Sequence, residues 1–337
     1  MINQNKTFII AELSANHNHK KEIALESIKA AKEAGADAVK IQTYTADTLT
    51  LDCDNEYFQI NQGTLWDGTT LYKLYQQAYT PWEWHKELFD YAKSLNIPLF
   101  STPFDKTAVD FLEELNNPII KIASFELVDT PLIEYAASKG RPMIMSTGIA
   151  TLEEIQDAVD ACHKVGNNDI TLLKCTSSYP APLNEANLLT IPDMAKRFGC
   201  KVGLSDHTTG NICACTAVSL GAQVIEKHFI IDRAIGGPDA AFSMTKDEFA
   251  EMVKRVRETE ECLGQVSYEL SDKMKKNRKF ARSLFACADI KKGEVFTENN
   301  IRSVRPGDGC SPKYLPELLG KESNRNYKFG EPLHYKN

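Results

Sequence analysis

Thr7–Tyr44 reads TFIIAELSANHNHKKEIALESIKAAKEAGADAVKIQTY, and this stretch decides the fold. It opens on a β-rich run, TFIIAELSA. It continues into a segment with apolar residues at i, i+3 and i+4 spacing that closes at Gly35, and it returns to a second β-rich run, AVKIQTY. That is one β-then-α unit and the strand of the next. An open doubly wound sheet would place a glycine-rich phosphate turn directly after the first strand, and AELSANHNH contains no glycine. The stretch therefore reads as the start of a closed barrel.

Working outward, the same alternation recurs. Further β-rich runs begin at Pro98 (PLFSTPF), Ile119 (IIKIASF), Pro142 (PMIMSTG), Ile170 (ITLLKCTSSYP), Cys200 (CKVGLSDH) and Gln223 (QVIEKHFII). Helix-periodic segments such as LEEIQDAVDACHKVG lie between them, and TKDEFAEMVKRVRETEECLG, opened by Thr245, closes the series. Eight β-then-α units predict a parallel sheet, and eight is the number that closes, so the expected class is α/β, a (β/α)8 TIM barrel over residues 1–264. Residues 265–279 are polar and lysine-rich and read as a linker. From 280 to 337 short strands and a KKGE turn form no barrel repeat, and a small second domain is expected there. The segment between Thr45 and Thr80 is too long for a simple connection and rich in aromatics, so it reads as a substrate-binding wall or lid, or as a peripheral packing insertion.

The bulk figures exclude several classes. The net charge of −7 and pI of 5.6 give no electrostatic ground for nucleic-acid or anionic-membrane binding. No long apolar run predicts a membrane span, and the opening MINQNKTFIIAEL turns polar too soon for a signal peptide. Nine cysteines, an odd and scattered set, argue for a reducing compartment, and a cytoplasmic protein is expected. Cys213 and Cys215 stand two apart, without a second pair, and read as small apolar residues.

In such barrels the chemistry sits where strands end and βα loops begin. Polar residues gather at those ends: Glu12, Lys40 and Gln42, Ser101 and Thr102, Lys121, Ser124 and Glu126, Lys174, Ser205, Asp206 and His207, and Glu226, Lys227 and His228. One shared polar pocket is the expectation. His207 and His228 end the seventh and eighth strands, which are neighbours in a closed barrel, and two adjacent imidazoles suit a divalent metal ion with open positions for water or substrate. Glu12, on the strand beyond, is a candidate oxygen ligand or holder of a metal-bound water. Lys40, Lys121 and Lys174 with the hydroxyls of Thr102, Ser124 and Ser205 suit an anionic small molecule such as a phosphate, although a Schiff-base lysine is a chemical competitor.

The runs AELSANH, KIQTYT, KIASFE, LKCTSSYP, GLSDHT and EKHF, in this order, resemble the sialic-acid synthase family, and RSLFACADIKKGE…VRPGDG resembles that family's antifreeze-like SAF domain. The resemblance implies condensation of phosphoenolpyruvate with an N-acetylated amino sugar. AELSANH, QTYTADTLTL and the LW…LY…LY pattern are similar to the branch that makes pseudaminic acid from 2,4-diacetamido-2,4,6-trideoxy-L-altrose, and the neuraminate and legionaminate branches are the alternatives. It further implies metal ligation by His207 and His228, with Mn2+ as the ion. Phosphoenolpyruvate contacts are implied at Lys40, Thr102, Lys121, Ser124 and Ser205, and sugar contacts at Gln42, Glu126, Tyr179 and Asp239. Glu126 and Glu12 are the implied proton-handling or cation-stabilising carboxylates, and Arg305 is the residue a domain-swapped homodimer would lend to its partner's site. Ser177 departs from the Asn of neuraminate synthases and weakens that reading. Two other readings stand beside it: a barrel that condenses phosphoenolpyruvate with a sugar phosphate, and a non-enzymatic glycan- or ice-binding protein.

Overall fold

The computed structural model describes residues 6–61 and 63–335. Eight parallel strands close into one barrel in sequence order: β1 Phe8–Glu12, β2 Ala38–Thr43, β3 Leu99–Pro103, β4 Ile120–Ile122, β5 Met143–Ser146, β6 Ile170–Cys175, β7 Lys201–Asp206 and β8 Val224–His228. Closure is set by β1 against β8, with Glu12 opposite His228, and by β1 against β2, with Glu12 opposite Lys40. Three conspicuous polar residues of three strands are thereby brought to one level.

Alternation along each strand sorts the side chains. Ile9, Ala11, Val39, Ile41, Ile120, Ile122, Met143, Met145, Leu172, Leu204 and Ile225 face outward and join the helices in the main core. The residues between them face inward. Phe8, Ile10, Ala38, Phe100, Ile119, Ile144, Leu173 and Val224 form a separate apolar layer filling the barrel. Two residues further along the same strands the inward positions turn polar. The helices around the barrel begin where expected: Thr151 and Thr245 make capping boxes with Glu154 and Glu248, and Asp105 accepts from the amides of Thr107 and Ala108.

The segment after β2 carries its own structure. A short helix, Ala46–Leu49, is followed by a hairpin-like turn bridged at Gln59 and Thr70, and then by a helix, Leu71–Ala78.

The chain divides into two compact units, Met1–Gly264 and Gln265–Asn337. The second contains the antiparallel pair β9 Ser283–Ala286 and β10 Ile301–Val304 and a small core that includes Leu284, Ile290, Phe296, Ile301 and Leu333. The polar stretch after Gly264 includes a short helix, Asp272–Asn277.

Candidate active site

The inward polar positions meet above the apolar layer. Lys40 Nζ lies 3.0 Å from Glu12 Oε2, 3.3 Å from Glu226 Oε1 and 3.4 Å from Thr102 Oγ1. Lys121 Nζ donates to Ser146 Oγ at 2.7 Å and to the Ile122 carbonyl at 3.0 Å, and approaches Glu226 Oε1 at 3.8 Å. Ser205 Oγ donates to the same Glu226 oxygen at 3.1 Å. Glu226 thus stands between two lysines from β2 and β4, yet its other oxygen, Oε2, is buried without a hydrogen-bond partner.

All four charged groups are buried, and their ionisation follows from their neighbours. Burial pushes Glu226 up, but Lys121 and Lys40 more than offset it and hold it below the usual carboxylate range. Glu12 goes the other way, raised by burial and by the Glu226 charge. Burial lowers Lys40, which Glu12 and Glu226 more than restore. Lys121, with Lys40 beside it, is pulled down by burial to about 8. The cluster sets two lysines against two carboxylates, of which Glu226 is the firmer anion, so an added anion has two buried ammonium groups to pair with in a desolvated place.

A second chain of contacts runs from Glu12 toward the β8 side. Gln42 Nε2 donates to Glu12 Oε1 at 3.0 Å and to Ser14 Oγ at 3.2 Å, and Ser14 donates in turn to buried Asp239. Beyond β4, Ser124 Oγ accepts from the Gly148 amide at 3.1 Å. A β-carbon at Gly148 would fall against Ser177 Oγ, 2.8 Å from Ser124 Oγ and 3.1 Å from Cys175 Sγ. Glycine is needed there for Ser124 and Ser177 to converge. Glu126 follows in the same loop, with Oε2 buried and unpartnered, and burial lifts its carboxyl to about 7.

His207 and His228 lie with ring centroids 5.3 Å apart. His207 Nδ1 faces the Thr176 carbonyl at 3.0 Å and Cys175 Sγ at 3.7 Å. Donation of that N–H to the carbonyl leaves Nε2 with its lone pair, the arrangement a metal-ligating histidine needs. Burial, with His207 and Lys40 adding to it, drives His228 well below the ordinary histidine range, so its imidazole is neutral. His228 Nδ1 is buried without a hydrogen-bond partner. A neutral orphaned imidazole beside an oriented one fits a divalent ion, although no group of three or more His, Cys, Asp or Glu able to hold one occurs among the described residues. The remaining positions of such an ion would belong to water or substrate.

Tyr179 roofs this pair, its ring 4.3 Å from His207, 6.2 Å from His228 and 5.0 Å from Phe242. It precedes a cis bond to Pro180. Trp66, from the hairpin-like turn, packs edge-on against Tyr179 at 5.7 Å. Outside Trp66 a groove of about 590 Å3, lined by residues including Asn18, His19, Gln76 and Pro238, involves none of the lysines or of the histidine pair.

The expectation of a single pocket at the strand ends needs correction. Strand alternation divides the polar set in two. Asp206 and Lys227 face outward and pair with each other at 2.7 Å, and Lys227 also donates to the carbonyls of Thr208 and Gly210. Ser101 lies with Thr43 and His85 in another outward network. Lys174 also points away from the barrel interior and donates to the Cys175 carbonyl at 2.6 Å, so it does not join Lys40 and Lys121. Arg305 is exposed in the second unit. Glu226 received no role from the sequence, although its place two residues before His228 put it on the same inward face. Trp66 was noted only as part of an aromatic segment.

Comparison with known proteins agrees with this architecture. The NeuB family matches residues 27–268 and the SAF domain residues 281–337. A pseudaminic acid synthase of Helicobacter pylori is 50% identical over 96% of this chain and 96% of its own. One of Campylobacter jejuni subsp. jejuni is 50% identical over 97% of this chain and 95% of its own. The crystal structure of an N-acetylneuraminic acid synthetase from Leptospira borgpetersenii, in complex with citrate, superposes with a TM-score of 0.71 at 32% identity, covering 81% of this chain and 90% of that one. With its barrel and its C-terminal SAF domain both matched, the chain belongs to the NeuB family of sialic-acid synthases.

Proposed function

We propose that this protein condenses phosphoenolpyruvate with 2,4-diacetamido-2,4,6-trideoxy-L-altrose to give pseudaminic acid and inorganic phosphate. The observation that carries the reaction type is the pair Lys40 and Lys121 around Glu226, a buried two-lysine seat beside two metal-competent imidazoles. The 50% identity to pseudaminic acid synthases over nearly the whole chain supports the choice of sugar over the neuraminate and legionaminate alternatives.

In this reading Lys40, Thr102, Lys121, Ser124, Ser177 and Ser205 bind the phosphate and carboxylate of phosphoenolpyruvate. Gln42, Tyr179 and Asp239 position the open-chain sugar. His207 and His228 would hold a divalent ion, manganese by resemblance, which would supply Lewis-acid polarisation of the sugar aldehyde. C3 of phosphoenolpyruvate attacks the aldehyde carbon: its double-bond electrons form the new C–C bond, and the aldehyde π pair moves onto the oxygen, which takes up a proton to become a hydroxyl, balanced by the proton released when water adds at C2. Water adds to the electron-poor C2, and the tetrahedral adduct breaks its C–O bond so that the bridging oxygen leaves with phosphate. Glu126, protonated below about 7 and ionised above it, is suited to handle the proton of that water. Glu12, held by Lys40 and Gln42, is the second carboxylate within reach of the site.

A cytoplasmic homodimer is part of the same proposal. The nine free cysteines support the compartment. Exposed Phe125, Val128, Ile149, Leu152, Leu183, Leu189 and Ile212 all occupy the βα rim from β4 to β7, an apolar margin suited to cover by a second copy, which would bring Arg305 to its partner's site.

The test is phosphate release from phosphoenolpyruvate with a panel of N-acetylated amino sugars. Turnover with the 6-deoxy diacetamido sugar is expected, and EDTA should abolish it until Mn2+ is restored. Turnover confined to N-acetylmannosamine would overturn the substrate, and 18O from the bridging position recovered in the ketoacid would overturn the C–O cleavage.

A further inference from the structure

The turn between Gln59 and Thr70 is built to present one side chain. Its ends are joined by the Gln59–Thr70 bridge, with Ile60 N donating to Thr69 O at 3.0 Å and Gly68 N to Ile60 O at 3.1 Å. Its tip is tied by Asp67, whose carboxylate accepts from Gly63 N at 2.8 Å, Thr64 N at 2.9 Å and Thr64 Oγ1 at 2.9 Å. Trp66 N then donates to Thr64 Oγ1 at 3.2 Å. The residue before it, Leu65, is exposed, whereas Trp66 turns in toward the barrel.

Two contacts fix the indole. Nε1–H donates to the Pro238 carbonyl at 3.1 Å, in the loop that supplies Asp239 and Phe242, and the ring meets Tyr179 at 5.7 Å in edge-on geometry. Tyr179 in turn rests on His207 and Phe242. One side chain therefore links three loops, after β2, β6 and β8, above the histidine pair. Such aromatic contacts are directional, so removing one partner frees the other's ring orientation.

The ring faces of this wall are apolar. The single donor of Trp66 is already used on Pro238, and the faces of Trp66, Tyr179 and Phe242 offer carbon, the Tyr179 hydroxyl being the polar group among them. A methyl group fits against these ring faces without penalty, whereas a hydroxyl set against the Trp66 and Phe242 faces loses water and gains no partner from them.

We propose that Trp66 is a positioning and specificity-determining residue: it sets the Tyr179 ring over His207 and His228 and favours an amino sugar with a methyl rather than a hydroxymethyl terminus. This rests on the proposed synthase reading. The effect falls on the sugar side, because among the described residues the hydrogen bonds and ion pairs of Lys40 and Lys121 go to Glu12, Thr102, Ile122, Ser146 and Glu226 and none to the turn.

The experiment uses the full-length enzyme with Mn2+, as wild type, Trp66→Ala and Trp66→Phe, assayed with phosphoenolpyruvate and either the 6-deoxy diacetamido sugar or its 6-hydroxy counterpart. Trp66→Ala should raise KM for the 6-deoxy sugar by about tenfold, leave KM for phosphoenolpyruvate within about twofold, and narrow the kcat/KM ratio between the two sugars by about tenfold. Trp66→Phe, which keeps an aromatic edge, should restore most of that ratio. Tryptophan fluorescence adds a binding readout: the 6-deoxy sugar should perturb the emission of wild type and perturb that of Trp66→Phe much less. Circular dichroism and Tm report whether each variant is folded, and Trp66→Phe carries the test if Trp66→Ala is not. An active wild type whose sugar ratio and fluorescence response survive both substitutions would overturn the assignment of Trp66 alone. A wild type that turns over no amino sugar with phosphoenolpyruvate would overturn the functional reading beneath it.

Discussion

Glu226 and Lys227 are neighbours in β8 and live under opposite regimes. Lys227, on the outer face, is fully satisfied: it pairs with Asp206 at 2.7 Å and donates to two carbonyls, while the other Asp206 oxygen accepts from Thr208 N at 2.9 Å and Oγ1 at 2.7 Å. Glu226, on the inner face, shares two lysines and keeps one buried oxygen without a partner. A closed network has nothing left to offer a ligand, so its role is to hold β7 and β8 to the loop that follows β7. An open one is a place where a ligand completes the hydrogen bonding. Both are buried charge, and only the count of satisfied atoms separates support from chemistry.

Substitution tests that division. Lys121→Ala on the inner side should lower kcat/KM on the order of 10^4-fold, about 5 kcal/mol of transition-state stabilisation, in a phosphate-release assay. Its Tm should change little, and a collapse of Tm would erase the distinction between the two faces. Asp206→Ala on the outer side should destabilise the fold by about 3–5 kcal/mol in denaturant unfolding, because Lys227 is left buried and unpaired. Folded Asp206→Ala should still release phosphate, and full stability would show that the outer network is dispensable.

Gly148→Ala is a gentler probe of the inner side. Its new carbon would displace Ser177 and Ser124, and KM for phosphoenolpyruvate should rise about tenfold, equivalent to about 1.4 kcal/mol. An unchanged KM would remove those two hydroxyls from the anion seat. The smallest effect on stability is expected from Glu126→Gln and depends on pH. The native carboxyl titrates near about 7 against an ordinary 4.5, so the folded state holds its proton longer than the unfolded state does. Its stabilising contribution is complete below 4.5, declines as pH rises from there through about 7, and is gone above. Thermal unfolding of the variant against wild type should show a Tm difference that is flat below that window, shifts in favour of Glu126→Gln across it, and is flat again beyond. A difference independent of pH would mean that the carboxyl is not held in an apolar setting.

Much of this was legible beforehand, for physical reasons. Hydrophobic runs of period two separated by segments of period 3.6 are enough to count eight units, and the absence of glycine after β1 removes the open sheet. The inward set Glu12, Lys40, Gln42, Thr102, Lys121 and His228 was also within reach, since each stands an even number of residues from an apolar position of the barrel-filling layer in its own β-rich run. The mixing of Asp206, Lys227, Ser101 and Lys174 into that set came from grouping residues by strand end without applying the same alternation. Glu226 between two lysines depends on closure, which brings β8 beside β1 and within reach of β2 and β4, and no local pattern carries that. Trp66 is harder still, because a turn some twenty residues after its strand reaches the loops after β6 and β8 through one indole.

The apolar layer under the polar floor has a consequence for traffic. Among the described residues, Phe8, Ile10, Phe100, Ile119, Ile144, Leu173 and Val224 make the lower end of the barrel apolar. On the proposed reading, substrates and products share the upper mouth, where Tyr179 and Trp66 stand. On that reading, whatever is seated against Lys40 and Lys121 departs past the sugar's place, so the order of release would follow the architecture as well as affinity.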